Sequence, residues 1–368
     1  MADGHLPVAV YIHDEPDPDW PIGAASAWWL HHSLVALKQA LQQLRSDLLI
    51  LNGDAQQQLS RLVDQTGAEA VYWNRCYESA QVKRDAAVKS SLTQRGIDVC
   101  SYSASLLREP WQLLKKDGTP YRVFTPFWKS LSKLGPSRSL VTMAERIPAL
   151  AKGKQADSLT IQSLGLLPTS AWDKSFYTHW QPGENGAWHA LDSFRETRLL
   201  RYKTDRDSPE KSGTARLSAH LHFGEISPLQ LWHSLLNWSA ADTSPGTLSA
   251  VEAWLRQLGW REFSHHLLYH FPHTSLQPLD TRFERFPWRT DYADTLVRWQ
   301  KGRTGIPIVD AGMRELWATG VMHNRVRMIT ASLCVVSDYV ERQWRWPHTG
   351  FGPPRLNRKG AHWLRSRQ

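Results

Sequence analysis

The sequence predicts an α/β domain followed by an all-α domain, and three observations support that prediction. Short apolar runs alternate with helix-length amphipathic stretches over the first third of the chain. A stretch interrupted by proline and glycine comes next, and beyond it strand-length apolar runs give way to helical periodicity. With 368 residues the chain can bury the cores of two or three domains.

In the first third, Pro7–His13 is an apolar run of strand length, and Trp28–Leu44 has the spacing of an amphipathic helix. Asp47–Leu51 is a second strand, closed by the turn residues Asn52-Gly53-Asp54. The pattern repeats as a helix over Gln56–Thr66, a strand over Ala70–Trp73, a helix over Ser79–Arg95 and a strand over Ile97–Ser101. Such alternation implies a parallel, doubly wound sheet covered on both faces, assigned here to residues 1–137. Residues 138–187 read as an interdomain linker, because Pro148, Pro168 and Pro182 interrupt every periodic run. Helical spacing then appears in Ala187–Tyr202, Pro228–Trp238, Leu248–His270, Asp291–Gln300 and Val309–Leu333, giving an all-α domain over residues 188–333. Residues 334–368 form a separate basic tail.

The bulk numbers narrow the functional classes. No secretory signal opens the chain and no apolar run is long enough to cross a bilayer, so a soluble cytoplasmic monomer is expected. Cys76, Cys100 and Cys334 are too widely spaced for a metal pattern or a disulfide framework. The net charge of +9 suggests nucleic acid, but the tail carries seven Lys/Arg against Asp338 and Glu341. The tail therefore supplies +5, and residues 1–333 only +4, so a basic groove has to be argued locally. Nineteen tryptophans suit base stacking or electron conduction as well as core packing.

Three stretches carry candidate chemistry. Gly213-Thr-Ala-Arg-Leu-Ser218 is a hydroxyl-rich turn with an arginine that opens a helix, able to cradle a pyrophosphate; as an ordinary helix start it would be capped by Thr214 or Ser218. In Trp254-Leu-Arg-Gln-Leu-Gly-Trp-Arg-Glu-Phe263, helical spacing puts Trp254, Gln257 and Arg261 on one face with Trp260 nearby, which suits a flat ligand with polar edges. In Gly320-Val-Met-His-Asn-Arg-Val-Arg-Met-Ile-Thr-Ala-Ser332, Asn324, Arg327 and Met328 share a face. The bland alternative for each is a solvated or core-packed helix surface.

In this order, and with Tyr202 and the loop Tyr121-Arg-Val-Phe-Thr-Pro-Phe127, these segments resemble the DNA photolyase and cryptochrome family, most of all class I cyclobutane pyrimidine dimer photolyases. The resemblance spans most of residues 7–333. It implies an FAD-binding helical domain in which Tyr202, Thr214, Ala215, Arg216, Leu217, Ser218, Asn324 and Arg327 contact the flavin nucleotide. It further implies that Arg206, Trp254, Gln257, Trp260, Arg261, Asn324, Arg325 and Met328 lie at ultraviolet-damaged DNA or its flipped lesion. Catalytic roles fall to Gln257 at the lesion and to Trp299, which resembles the surface member of the family's tryptophan triad and is expected to be an exposed indole. The implied activity is light-driven electron transfer from reduced FAD to the dimer. An antenna chromophore is also implied, with folate and deazaflavin both open because Ala80 and Gln81 stand near positions where folate-binding relatives carry polar and acidic side chains.

The sequence also departs from that pattern. Gln257 stands where dimer photolyases often carry Glu, while Met328 differs from the His of (6-4) photolyases. The family's first strand has no counterpart ahead of Val8–His13, so the sheet is expected to be one strand short. Cys334–Gln368 has the character of a frameshifted segment, and the family's Asp-rich flavin segment and inner triad tryptophans are not recognisable in it. A cryptochrome-type photoreceptor and an inactive photolyase-like fragment are the alternative readings.

Overall fold

The computed structural model describes residues 6–14, 21–141, 146–147, 157–242, 244–285 and 293–333; the basic tail lies outside the described residues. The first domain runs β1 (Ala9–His13), α1 (Ala24–Gln43), β2 (Leu48–Asn52), α2 (Ala55–Thr66), β3 (Ala70–Asn74), α3 (Ser79–Gln94), β4 (Asp98–Tyr102) and α4 (Phe124–Leu134). α2 shows how the sequence provides both a start and a stop. Asp54 caps α2 by accepting the Gln57 amide at 2.8 Å, and Gly67 ends it in the left-handed conformation at φ 66°.

The strands are parallel, as the alternation implies, but among the described residues they form two separate pairs instead of one continuous sheet. β1 pairs with β2 in the register Ala9↔Leu48 to His13↔Asn52, and β3 with β4 from Ala70↔Asp98 to Asn74↔Tyr102. β1 and β3 therefore each have one hydrogen-bonded neighbour. β1 is half-buried at all five positions, whereas its partner buries Leu48 and Ile50. In a sheet covered on both faces an inner strand would be the most buried.

The second domain comprises α5 (Phe176–His179), α6 (Glu184–Thr197), α7 (Tyr202–Asp205), α8 (Ser218–Phe223), α9 (Pro228–Ala241), α10 (Thr247–His270), α11 (Ala293–Gln300), α12 (Pro307–Thr319) and α13 (Asn324–Ser332). The run read as one helix over Val309–Leu333 is two. Gly320 at φ 76° terminates α12, and the His323 side chain accepts the Arg325 amide at 3.2 Å to start α13. Neither Thr214 nor Ser218 caps α8, the role each would have at an ordinary helix start: Leu217 occupies the N-cap and no side chain caps it, while Ser227 and Gln230 form a capping box on α9. The described part of the linker is packed. Ile161 and Leu166 join Leu34, Leu48 and Ile50 in one core, and Phe176 joins Trp28, Trp29 and Ala219 in another.

The two domains meet along α10 and its neighbours. The main core gathers Leu107, Phe124, Phe127 and Leu131 from the first domain with Leu191, Phe194, Leu231 and Trp254 from the second. A Cβ at Gly259 would lie 2.3 Å from Trp128, so only glycine lets α4 and α10 approach this closely.

Candidate functional site

Side chains from α7, α10 and α13 converge at one mouth of the helical domain. The Arg206 guanidinium lies 5.2 Å over the Tyr202 ring and its Nη2 is 3.5 Å from Gln257 Oε1. Arg325 donates to Asp207 Oδ1 from Nε at 2.8 Å, and its Nη1 lies 3.8 Å from the Met328 sulfur. Tyr202 is buried, and burial pushes its phenol up to about 12, so it is a neutral hydroxyl at physiological pH. Met328 is 54% exposed, and Asn324, at the first turn of α13, is exposed as well. The combination sets an amide, an exposed thioether and two cations together, able to hydrogen-bond a polar ligand and hold phosphate beside it, with the buried Tyr202 ring beneath Arg206.

Trp260 flanks this mouth. It is 43% exposed and stacks on Phe124 with centroids 3.6 Å apart, and the Arg256 guanidinium lies 5.2 Å over the same Phe124 ring. Trp254 is in the core behind the mouth, 6.0 Å from Phe194, so it supports the site from within.

Besides Trp254, two of the predicted lesion and catalytic residues are not at this mouth. Arg261 is buried one turn further along α10, where the helix meets the first domain and the side chain donates to the Ser105 carbonyl; it faces no solvent through which DNA could approach. Trp299 is only 4% exposed and donates from Nε1 to the Thr330 carbonyl at 3.0 Å, within a core of Val309, Met313, Met322 and Val326. The exposed indole expected there is a core residue, because the helical run splits and α11 packs against α12 and α13.

A second constellation surrounds the loop 213–217. Arg216 adopts φ 54°, a strained left-handed conformation for a non-glycine residue, and its guanidinium lies 6.0 Å over Trp180. Arg198 donates to the Thr214 carbonyl at 3.2 Å, and its Nε is buried with no partner among the described residues. Burial, and then the neighbouring Arg216 charge, lower the Arg198 guanidinium from its ordinary value. Among the described residues no carboxylate pairs with either arginine, an arrangement suited to a polyanion. Ala215 and Leu217 are buried and anchor this loop, while Ser218 and Arg327 line a cavity of about 30 Å³ with Trp29, Phe176, Trp180 and Phe223. Arg327 is largely buried and donates to the Met322 carbonyl at 3.0 Å; burial lowers its guanidinium too.

Sequence reading missed Asp207, Arg198 and His323. His323 was legible as a polar residue ahead of a helix start. Asp207 and Arg198 carry no local signal, since each acts on a residue from another segment.

An α/β domain is thus joined through α10 to a helical domain that carries an arginine-bearing loop. Comparison with known proteins gives the class. Residues 2–163 match the DNA photolyase model and residues 254–353 match the FAD binding domain of DNA photolyase. The chain is 38% identical over 359 residues to the deoxyribodipyrimidine photo-lyase of Agrobacterium fabrum, covering 97% of this chain and 70% of that one. It is 35% identical over 354 residues to cryptochrome-2 of Arabidopsis thaliana, covering 93% of this chain and 56% of the relative. A bacterial class III photolyase from Agrobacterium tumefaciens superposes with a TM-score of 0.88 at 36% identity, over 98% of this chain and 73% of the other. The chain belongs to the DNA photolyase and cryptochrome family.

The flavin-domain match runs to residue 353, into the segment read from sequence as foreign, while residues 164–253, with Tyr202 and the arginine loop, fall between the two matches. The domain is the family's FAD-binding domain, and the residues present fit that group. Arg198 and Arg216, neither paired with a carboxylate among the described residues, suit a diphosphate beside Thr214. The cavity at Ser218 and Arg327 has room for water and not for a dinucleotide, so the arginine pair carries the fit.

Proposed function

We propose that this protein is a light-dependent DNA repair enzyme that acts as a monomer on cyclobutane pyrimidine dimers in ultraviolet-damaged DNA. The observation that carries this reading is the convergence of Tyr202, Arg206, Gln257, Arg325 and Met328 at one mouth of an FAD-binding domain. Reduced FAD, when bound and excited by light, supplies an electron that opens the cyclobutane ring of the dimer and then returns.

The chain's own residues do the rest. Arg198, Thr214, Ala215, Arg216, Leu217 and Ser218 would hold the nucleotide's diphosphate region, with Tyr202, Asn324 and Arg327 at its other contacts. Arg206 and Arg325 would hold the backbone on either side of an extruded lesion. Enzymes that act on bases, photolyases among them, take the target out of the stack, and a distorted dimer is cheaper to extrude than an intact base. Gln257 can donate its amide N–H to a thymine carbonyl, but it has no acidic proton to give. Trp260 and Met328 offer apolar and stacking surface to the extruded rings and exclude water from them.

The test is illumination of the FAD-loaded chain with a dimer-containing oligonucleotide against a dark control. Light-dependent restoration of intact pyrimidines is expected. Gln257 and the extensive match to a plant cryptochrome favour a second reading, a flavin photoreceptor without repair activity. Flavin-loaded protein that leaves dimers intact in both light and dark would support that reading.

A further inference from the structure

We infer that Asp207 is a specificity-determining residue, an internal stand-in for a DNA phosphate that holds Arg206 and Arg325 in register and restrains their attraction for undamaged backbone. The inference rests on the DNA-repair reading of the mouth. Asp207 Oδ1 receives Arg325 through both Nε at 2.8 Å and Nη2 at 2.7 Å, and Arg206 Nε lies 3.4 Å from the same oxygen. One carboxylate oxygen thus ties the segment after α7 to α13, 118 residues further along the chain. The neighbouring carboxylate, Asp205, is engaged elsewhere, by Lys211 at 3.0 Å and Arg201 at 3.7 Å.

The geometry leaves each arginine one free function. Arg206 still reaches Gln257 and covers Tyr202, and Arg325 still directs Nη1 at the Met328 sulfur. Two guanidiniums around a single oxygen make the arrangement a phosphate would occupy. The pair is half-exposed, with Asp207 and Arg325 side chains 49% and 42% accessible, so its attraction is screened and a phosphate can replace it. Undamaged duplex offers only phosphates and must compete with Asp207 for both cations. A flipped lesion adds contacts at Gln257 and Met328 that offset this competition. Asp207 therefore lowers affinity for all DNA but most for undamaged DNA, where nothing else compensates.

The test is binding of the FAD-loaded Asp207→Asn protein to undamaged and dimer-containing duplexes of the same sequence over a range of salt. With undamaged duplex the expected result is several-fold tighter binding and a steeper log K against log salt by about 0.9, one added phosphate contact. The preference for the damaged duplex should fall, and Asp207→Glu should restore the wild-type slope. Unchanged slope and affinity, or equal weakening on both duplexes, would overturn the inference and leave Asp207 a structural tie. If the wild-type protein shows no preference for damaged DNA, the repair reading fails, and the slope on undamaged duplex still decides whether Asp207 restrains phosphate binding.

Discussion

The part of α10 that faces the first domain and the part that faces the mouth use polar residues in opposite ways. Toward the first domain, Glu262 accepts the Leu107 amide at 2.9 Å and the Arg108 amide at 3.3 Å, Arg261 donates to Ser105, and His266 accepts the Tyr121 amide at 3.0 Å. Each of these groups is buried and makes a hydrogen bond to a particular backbone atom, with His266 Nδ1 left without a partner among the described residues. Toward the mouth, one turn earlier, the Gln257 side chain makes two hydrogen bonds among the described residues, both at 3.5 Å, and Trp260 is 43% exposed. Buried polar groups without partners are costly, so the first part must be satisfied within the protein; the second can leave its capacity for a ligand. The contrast predicts that the inner part governs stability and the outer part governs binding.

The largest expected effect is at Glu262. Replacing it by Ala leaves the Leu107 and Arg108 amides without their acceptor, and thermal or denaturant melts should show a loss of about 2–4 kcal/mol. A loss below 1 kcal/mol would break the comparison. The pH dependence of the same residue sharpens it. Burial raises the Glu262 carboxyl from 4.5 to about 7, above its unfolded value. Its contribution is therefore full below pH 4.5 and is lost as pH rises to about 7, by on the order of 3 kcal/mol. Wild-type stability minus that of Glu262→Gln should fall across this window and be flat above it, as measured by urea titrations at stepped pH.

A smaller loss is expected at the α4–α10 crossing. Gly259→Ala would put a methyl 2.3 Å from Trp128 and should lower stability by about 1–3 kcal/mol. In the outer part, Gln257→Ala should shift the melting midpoint by the equivalent of less than about 0.5 kcal/mol, yet weaken binding of dimer-containing DNA. Gln257→Glu should leave stability equally unmoved and raise the repair yield per photon, because a carboxyl can donate a proton that an amide cannot.

The fold was legible wherever a local pattern determines a local element. The strands Leu48–Asn52 and Ala70–Asn74 and the helix Thr247–His270 sit within a residue or two of the apolar runs that predict them. The separation into two parallel pairs was not legible, since it depends on which strands find partners across the chain. The same holds in the site. Arg206, Gln257, Arg325 and Met328, which the motifs single out, lie close together, and Arg206 also covers Tyr202. Arg261 was misjudged because spacing says which residues share a face and not which domain that face meets. Trp299 was misjudged because a tryptophan's exposure depends on helices beyond its own. Asp207 escaped notice because its partner Arg325 is remote in sequence.

The most direct test of the separation between the two parts of α10 is the light-dependent repair yield per folded molecule of Gln257→Ala and Glu262→Gln, measured side by side on FAD-loaded protein. The expected result is a reduced yield for Gln257→Ala at wild-type stability, and a wild-type yield for the folded fraction of Glu262→Gln. An unchanged yield in Gln257→Ala would contradict the placement of the reacting lesion at this mouth.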